Sequence, residues 1–128
     1  MGETTATFTG VHLFVRDMAV TTAFYRAIGL TVDGDHEFAR ATVPNGPHLV
    51  FGSHDLTLRY DPGFRPASGS ACALQFTVPS RAAVDSLHAK LVRAGHPSHL
   101  APFDAFWGSR YAEVKDPDGV IVGFHGES

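Results

Sequence analysis

The stretch Phe8-Thr9-Gly10-Val11-His12-Leu13-Phe14-Val15-Arg16-Asp17-Met18 decides the fold, because its pattern returns later in the chain. Its β-branched and aromatic bias marks a strand, with His12 and Phe14 on one face and Val11, Leu13 and Val15 on the other. Asp17 stands at an N-cap position, and Val20, Phe24 and Ile28 then recur four apart, beside Ala23 and Ala27. A helix is therefore expected over 18–28, stopped by Gly29. From Ala73 the order repeats: a strand over 73–78, a cap at Ser80, a helix face of Val84, Leu87 and Leu91, and a stop at Gly95. The displacement, from Val11 to Leu74, is 63 positions, and the repeat shows in element order rather than residue identity.

Short strand-like runs follow each helix. They cover 30–32, 38–43, 48–51 and 56–60 in the first half, and 99–101, 109–114 and 120–125 in the second. The turns between them are Asp33-Gly34-Asp35, Pro44-Asn45-Gly46-Pro47, Gly52-Ser53-His54-Asp55 and Asp116-Pro117-Asp118-Gly119. Residues 61–71 hold two prolines and two glycines among small residues and read as a linker. The expected organisation is one α+β domain over 1–128, with module one at about 8–60 and module two at about 72–126. Paired βαβββ modules can join into a concave mixed β-sheet cup with the helices on its convex side, and function is expected in the concavity.

Composition narrows the class. With 128 residues, 44% of them hydrophobic, the chain can bury a core of its own. Cys72 is the single cysteine, so no disulfide forms within the chain, and a reducing, cytoplasmic home is expected. A net charge of −3 and a pI near 6.2 argue against nucleic acid as a partner. No apolar run approaches the ~20 residues a membrane span needs, and Met1-Gly2-Glu3-Thr4-Thr5 lacks the charged and apolar regions of a signal peptide.

Two groups of residues resemble a known family. Val15-Arg16-Asp17-Met18, continuing to Ala23-Phe24-Tyr25 and Gly29-Leu30, is similar to the first-strand-and-helix signature of the vicinal oxygen chelate superfamily. That superfamily comprises glyoxalases, extradiol dioxygenases, and fosfomycin-resistance and bleomycin-binding proteins. Trp107-Gly108-Ser109-Arg110-Tyr111 followed by Asp116-Pro117-Asp118-Gly119 resembles its last hairpin. The resemblance implies paired βαβββ modules and, in the enzymes, a divalent metal held at one position on each of four strands. Motif alignment places those positions at Gly10, Thr57, Ala73 and Gly123, none of which supplies a good ligand. A slip of two residues brings up His12, Arg59, Gln75 and His125, which hold only two plausible ligands and one repelling cation. No metal or other cofactor is therefore expected.

The second half resembles most the mitomycin-binding type of drug-sequestering resistance proteins. The stretches that carry this are Arg59-Tyr60-Asp61-Pro62-Gly63-Phe64, Gly95 through His99-Leu100, and 101–111. The resemblance implies non-catalytic binding of a planar aromatic or quinone-like antibiotic by a homodimer whose sites draw walls from both chains. The linker 61–71 is long enough for both a swapped and an unswapped dimer. The competing reading is an enzyme of the same fold, either a metal-dependent lyase or dioxygenase, or a metal-free isomerase using His12 and His125 as acid and base.

Trp107 is the only tryptophan and the expected principal stacker, against the alternative that it fills the core. Phe103, Phe64 and Tyr60 crowd the neighbouring loops and join the candidate set with Tyr111, while Phe106 is expected in the core. His12, Phe14, Arg59, Gln75 and His125 belong to the expected concave face, Arg59 on a strand between Leu58 and Tyr60. Phe38 is a candidate for the opposite wall, although core packing is the favoured reading for it and for Phe51. The other six histidines show no paired ligand spacing, and Cys72 is expected to be buried and inert.

Overall fold

A computed structural model describes residues 5–128; the segment Met1-Gly2-Glu3-Thr4, read above for a leader, lies outside the described residues. The chain divides into two compact units, one ending at Pro66 and the other beginning at Ala67, inside the segment read as a linker. Each unit carries a four-stranded mixed sheet, and the described residues form three helices in all. No helix among them is long and apolar enough to cross a membrane.

The first unit runs β1 (Gly10–Val15), α1 (Met18–Ala27), β2 (Val32–Gly34), β3 (Phe38–Ala41), β4 (His48–Ser53) and α2 (His54–Tyr60). Its sheet has the order β1-β4-β3-β2, with β1 and β4 parallel and the other neighbours antiparallel. The Asp17 side chain caps α1 by accepting from the Val20 amide at 3.3 Å. The buried stripe of α1 is Met18, Thr21, Phe24 and Tyr25 rather than the expected Val20 row, and Val20 is 45% exposed. Helical rows i, i+3 and i+7 from Met18 win because the aromatic pair Phe24–Tyr25 must reach Phe51, whose ring lies 5.0 Å from that of Tyr25. On β1, Leu13 and Val15 face this core while Phe14 is exposed, as the alternation requires.

The segment 56–60, expected to be a strand, is helical. Leu56, Leu58 and Tyr60 alternate as a strand would, but Ser53 is an N-cap whose hydroxyl accepts from the Leu56 amide at 3.0 Å. Thr57 then turns inward, its hydroxyl donating to the Ser53 carbonyl at 2.9 Å. Removing this strand leaves strand–helix–three strands, the same plan as the second unit.

That unit runs β5 (Ala73–Thr77), α3 (Arg81–Arg93), β6 (Ser98–Asp104), β7 (Arg110–Lys115) and β8 (Ile121–Gly126), in the sheet order β5-β8-β7-β6. The first strand again pairs in parallel with the last. Ser80 caps α3 by accepting from the Ala83 amide at 3.1 Å, and α3 turns Val84 and Leu91 onto the sheet. Val84, Leu91, Ala112, Val114, Val122 and Phe124 are fully buried there; each large apolar side chain among them contributes about 1.5–3 kcal/mol. Asp116 holds the β7–β8 turn, its Oδ1 accepting from the amides of Asp118 and Val120 at 2.8 and 2.9 Å. Cys72, expected to be buried, is exposed just ahead of β5.

Candidate functional site

In both sheets one face packs on a helix and the other carries the chemistry. On the second sheet the register puts Ala73, Gln75 and Thr77 of β5 level with Ile121, Gly123 and His125 of β8. Tyr111 and Glu113 of β7 lie opposite His125 and Gly123. This face opens into a cavity of about 550 Å³, whose aromatic wall is Phe103, Trp107 and Tyr111. Gln75, Ser109, Glu113, His125 and Glu127 supply its polar lining.

The aromatic wall comes from the β6–β7 hairpin. Its tip is closed by the Ala105 amide on the Ser109 carbonyl at 2.8 Å and the Gly108 amide on the Ala105 carbonyl at 3.0 Å. That closure buries Ala105 and turns the next two side chains out, so Phe106, expected in the core, is 96% exposed and Trp107 52%. The Trp107 ring meets Tyr111 at 5.4 Å and Phe103 at 6.3 Å, both edge-on, so its faces are not covered by parallel stacking on either ring.

Below the rings runs a directed hydrogen-bond chain. Gln75 Nε2 donates to the Tyr111 hydroxyl at 2.9 Å, and that hydroxyl donates to Glu113 Oε2 at 2.6 Å. Burial, and then the Glu113 carboxylate, push the Tyr111 phenol above its ordinary pKa, so the proton stays on tyrosine. His99 Nε2 lies 3.9 Å from Glu113 Oε1, and His125 Nε2 lies 3.3 Å from the Thr77 hydroxyl. Glu113 was absent from the sequence-based candidates, whereas Gln75 belonged to the expected concave face. The signal for Glu113 was the alternation of 111–114, which turns Ala112 and Val114 to the core and Tyr111 and Glu113 away from it.

The first sheet carries a separate aromatic cluster on its corresponding face. His12 stacks on Phe14 at 5.0 Å and meets Phe38 edge-on at 6.4 Å. Phe64 packs on Phe14 at 5.1 Å and on His54 at 5.3 Å, so the linker ring covers a residue of β1. Phe38 is exposed at this face rather than in the core, whereas Phe51 is fully buried. His12 Nε2 is buried with no hydrogen-bond partner, and burial lowers the pKa of its imidazole below the ordinary value. In the unfolded chain His12 takes up a proton near pH 6.5, and in the fold only at lower pH. Stability should therefore fall as pH drops from about 6.5 toward the folded value. His12→Phe should flatten that acid slope in denaturant titrations, leaving the same-signed contribution of His88. An unchanged slope would show that His12 is solvated.

Arg59 and Tyr60 leave the expected face, because both lie on α2 and are exposed. Arg59 makes a two-pronged ion pair with Glu37 at 2.5 and 3.0 Å, which answers its charge without a ligand. Arg59→Ala should leave ligand affinity unchanged in titrations; a loss would return Arg59 to the binding face. A second hollow, of about 600 Å³ beside Val43, Asn45 and Pro47, includes none of the candidate residues.

The four metal positions implied by the resemblance do not fit a metal. Thr57 is on α2, not on the sheet. The registers instead make Val50 the counterpart of Gly123, since His12 pairs with Val50 as Gln75 pairs with Gly123. Gly10, Val50, Ala73 and Gly123 carry no donor atoms. A Cβ at Gly10 would lie 2.7 Å from the His48 carbonyl oxygen, and one at Gly123 would run into the Tyr111 hydroxyl. Among the described residues no three His, Cys, Asp or Glu side chains converge as a ligand set.

Two βαβββ units of identical strand order, each with an open sheet face, define a small α+β protein of the paired-module class. The chain belongs to the Glyoxalase/Bleomycin resistance protein/Dioxygenase superfamily, whose family model matches residues 7–124. It is similar to the structure of a glyoxalase/bleomycin resistance protein/dioxygenase family enzyme from Burkholderia phytofirmans. That pair shares 23% identity over 96% of this chain and 100% of the other, at a TM-score of 0.83. A hypothetical protein from S. aureus shares 18% identity over 98% and 95% of the two chains, at 0.79. A lactoylglutathione lyase from Agrobacterium tumefaciens shares 18% over 97% and 96%, at 0.68. At these identities the likeness is one of fold. No curated protein matches the chain significantly.

Proposed function

We propose that the chain binds and sequesters a planar aromatic or quinone-like small molecule, of the kind used as antibiotics, without transforming it. The observation that carries this reading is Trp107, half exposed at the rim of a 550 Å³ cavity, with Phe103 and Tyr111 completing the wall. Flat ligands bury well against such rings, at roughly 25 cal/mol per Å² of apolar area before association costs. The resemblance of 95–111 to mitomycin-binding-type proteins supports the drug class. The absence of donor atoms at the four ligand positions supports binding over metal-assisted chemistry.

The acting form in this reading is a homodimer. The edge strands β1, β2, β5 and β6 leave backbone groups for pairing, and the 96% exposed Phe106 calls for cover. Sedimentation should give a dimer at micromolar concentration; a monomer that binds ligand fully would remove the dimer from the proposal.

Because Trp107 is the only tryptophan, its fluorescence reports on this cavity alone. The test is a quenching screen against quinone, enediyne-derived, peptide and glycopeptide antibiotics, followed by host survival with and without the protein. Saturable quenching with the ligand recovered unchanged, together with improved survival, is the expected result. No quenching by any class, or release of a product, would overturn the reading.

A further inference from the structure

We propose that the ligand taken by the cavity of the second unit is a planar aromatic cation, with Glu113 as the group that selects its charge. This rests on the reading of that cavity given above and narrows its ligand class. The argument begins with direction. The Tyr111 hydroxyl spends its proton on Glu113 Oε2, and its oxygen already accepts from Gln75, so tyrosine offers a ligand its ring rather than a donor. The Glu113 side chain is only 14% exposed, and its other oxygen, Oε1, stands 3.9 Å from His99, beyond hydrogen-bond reach. That oxygen remains able to accept from a donor on a ligand held in the cavity that Glu113 lines.

The lining itself offers no permanently charged donor. No Lys or Arg lines the cavity, and the second charged group on its lining is another carboxylate, Glu127. Of the other cations of this unit, Arg81 is paired with Asp104 and Arg110 with Asp85 and Asp104, and Lys115, two residues on from Glu113 along β7, is not among the lining residues. The rings of Trp107, Tyr111 and Phe103 add their own preference, since aromatic faces attract cations within about 6 Å. Acceptor-rich polar groups beneath π faces match a flat ring bearing a protonated amine or amidinium. They match poorly a quinone, which presents only acceptors, and worst an anionic ring.

The test compares three rings of similar shape by calorimetric titration of the intact chain: 9-aminoacridinium, neutral phenazine and acridine-9-carboxylate. The cation should bind at least about tenfold more tightly than phenazine, and the carboxylate more weakly than either. Glu113→Gln should erase the preference for the cation over phenazine. Tyr111→Phe, which frees Glu113 Oε2, should preserve or strengthen that preference, and it serves as the independent readout if Glu113→Gln folds poorly. Equal affinity of the cation and phenazine for the wild-type chain would overturn the inference, as would a preference that survives Glu113→Gln or is lost in Tyr111→Phe. Rings that bind through Trp107 without regard to charge would sink this inference and leave the aromatic reading standing. Failure of all three to bind would sink this inference and leave the broader reading to the quenching screen.

Discussion

Gly123→Glu, which puts a carboxylate at one of the four metal positions of the superfamily, should destabilise the second unit by about 3–5 kcal/mol. The Tyr111 hydroxyl occupies the space a Cβ at this position would need, and Gln75 Nε2 is 3.1 Å from the same point. Overpacking of this kind costs about 1–3 kcal/mol, and displacing Tyr111 also breaks its bonds to Gln75 and Glu113, worth about 1 kcal/mol each. Gly123→Ala brings the same Cβ against Tyr111 and should show a loss of the same kind, about 1–3 kcal/mol from overpacking plus about 1 kcal/mol for each hydrogen bond the displaced hydroxyl loses. Denaturant unfolding followed by Trp107 emission measures both changes. A Gly123→Glu chain with an unshifted midpoint would mean that Tyr111 does not lie where the hydrogen bonds place it.

Trp107→Ala should weaken ligand binding by more than tenfold, or about 1.4 kcal/mol, with little effect on folding. The ring is half exposed and its aromatic neighbours are Phe103, Phe106 and Tyr111 of the same hairpin, while Val114, Val122 and Phe124 are fully buried in the core. Phe106→Ala provides the contrast. That ring is almost wholly exposed and leans on Trp107 at 5.0 Å, so its loss should cost less affinity than loss of Trp107. Calorimetry with 9-aminoacridinium reads both variants without relying on tryptophan emission. Unchanged affinity in Trp107→Ala would remove the ring from the site.

Much of the fold is written in local chemistry. The caps Asp17 and Ser80, the stops Gly29 and Gly95 and the alternation of β1 all act within a few residues of themselves, and each does in the fold what its residue type suggests. Periodicity misleads where the segment is short. Over 56–60 an alternating pattern and a single helical turn and a half look alike, and the choice lay with Ser53, one residue inside what reads as a turn. Ring burial is legible for Phe24 and Phe51, but not for Phe38 at the start of β3, nor for rings in a hairpin tip. Phe106 and Trp107 are adjacent aromatic residues whose direction is set by two backbone hydrogen bonds around Ala105. Within the cavity the aromatic members Phe103, Trp107 and Tyr111 stand out by residue type. Glu113 does not, because a glutamate in an amphipathic strand looks like ordinary solvated surface until its neighbours are known.

The three rings of the cavity wall lie on one hairpin, between Phe103 and Tyr111, while the metal positions implied by the resemblance are drawn from strands far apart in sequence. These two architectures evolve differently. A ligand set drawn from distant strands must change in concert, because losing one member loses the ion. A recognition surface carried on a single contiguous segment can be rewritten by substitutions or a short insertion in one place, with the helix-backed core untouched. Lineages that keep this hairpin can therefore exchange one flat ligand for another by local steps that each leave a folded protein. Among close relatives, divergence should then concentrate between 103 and 111, with α3 and β8 holding still.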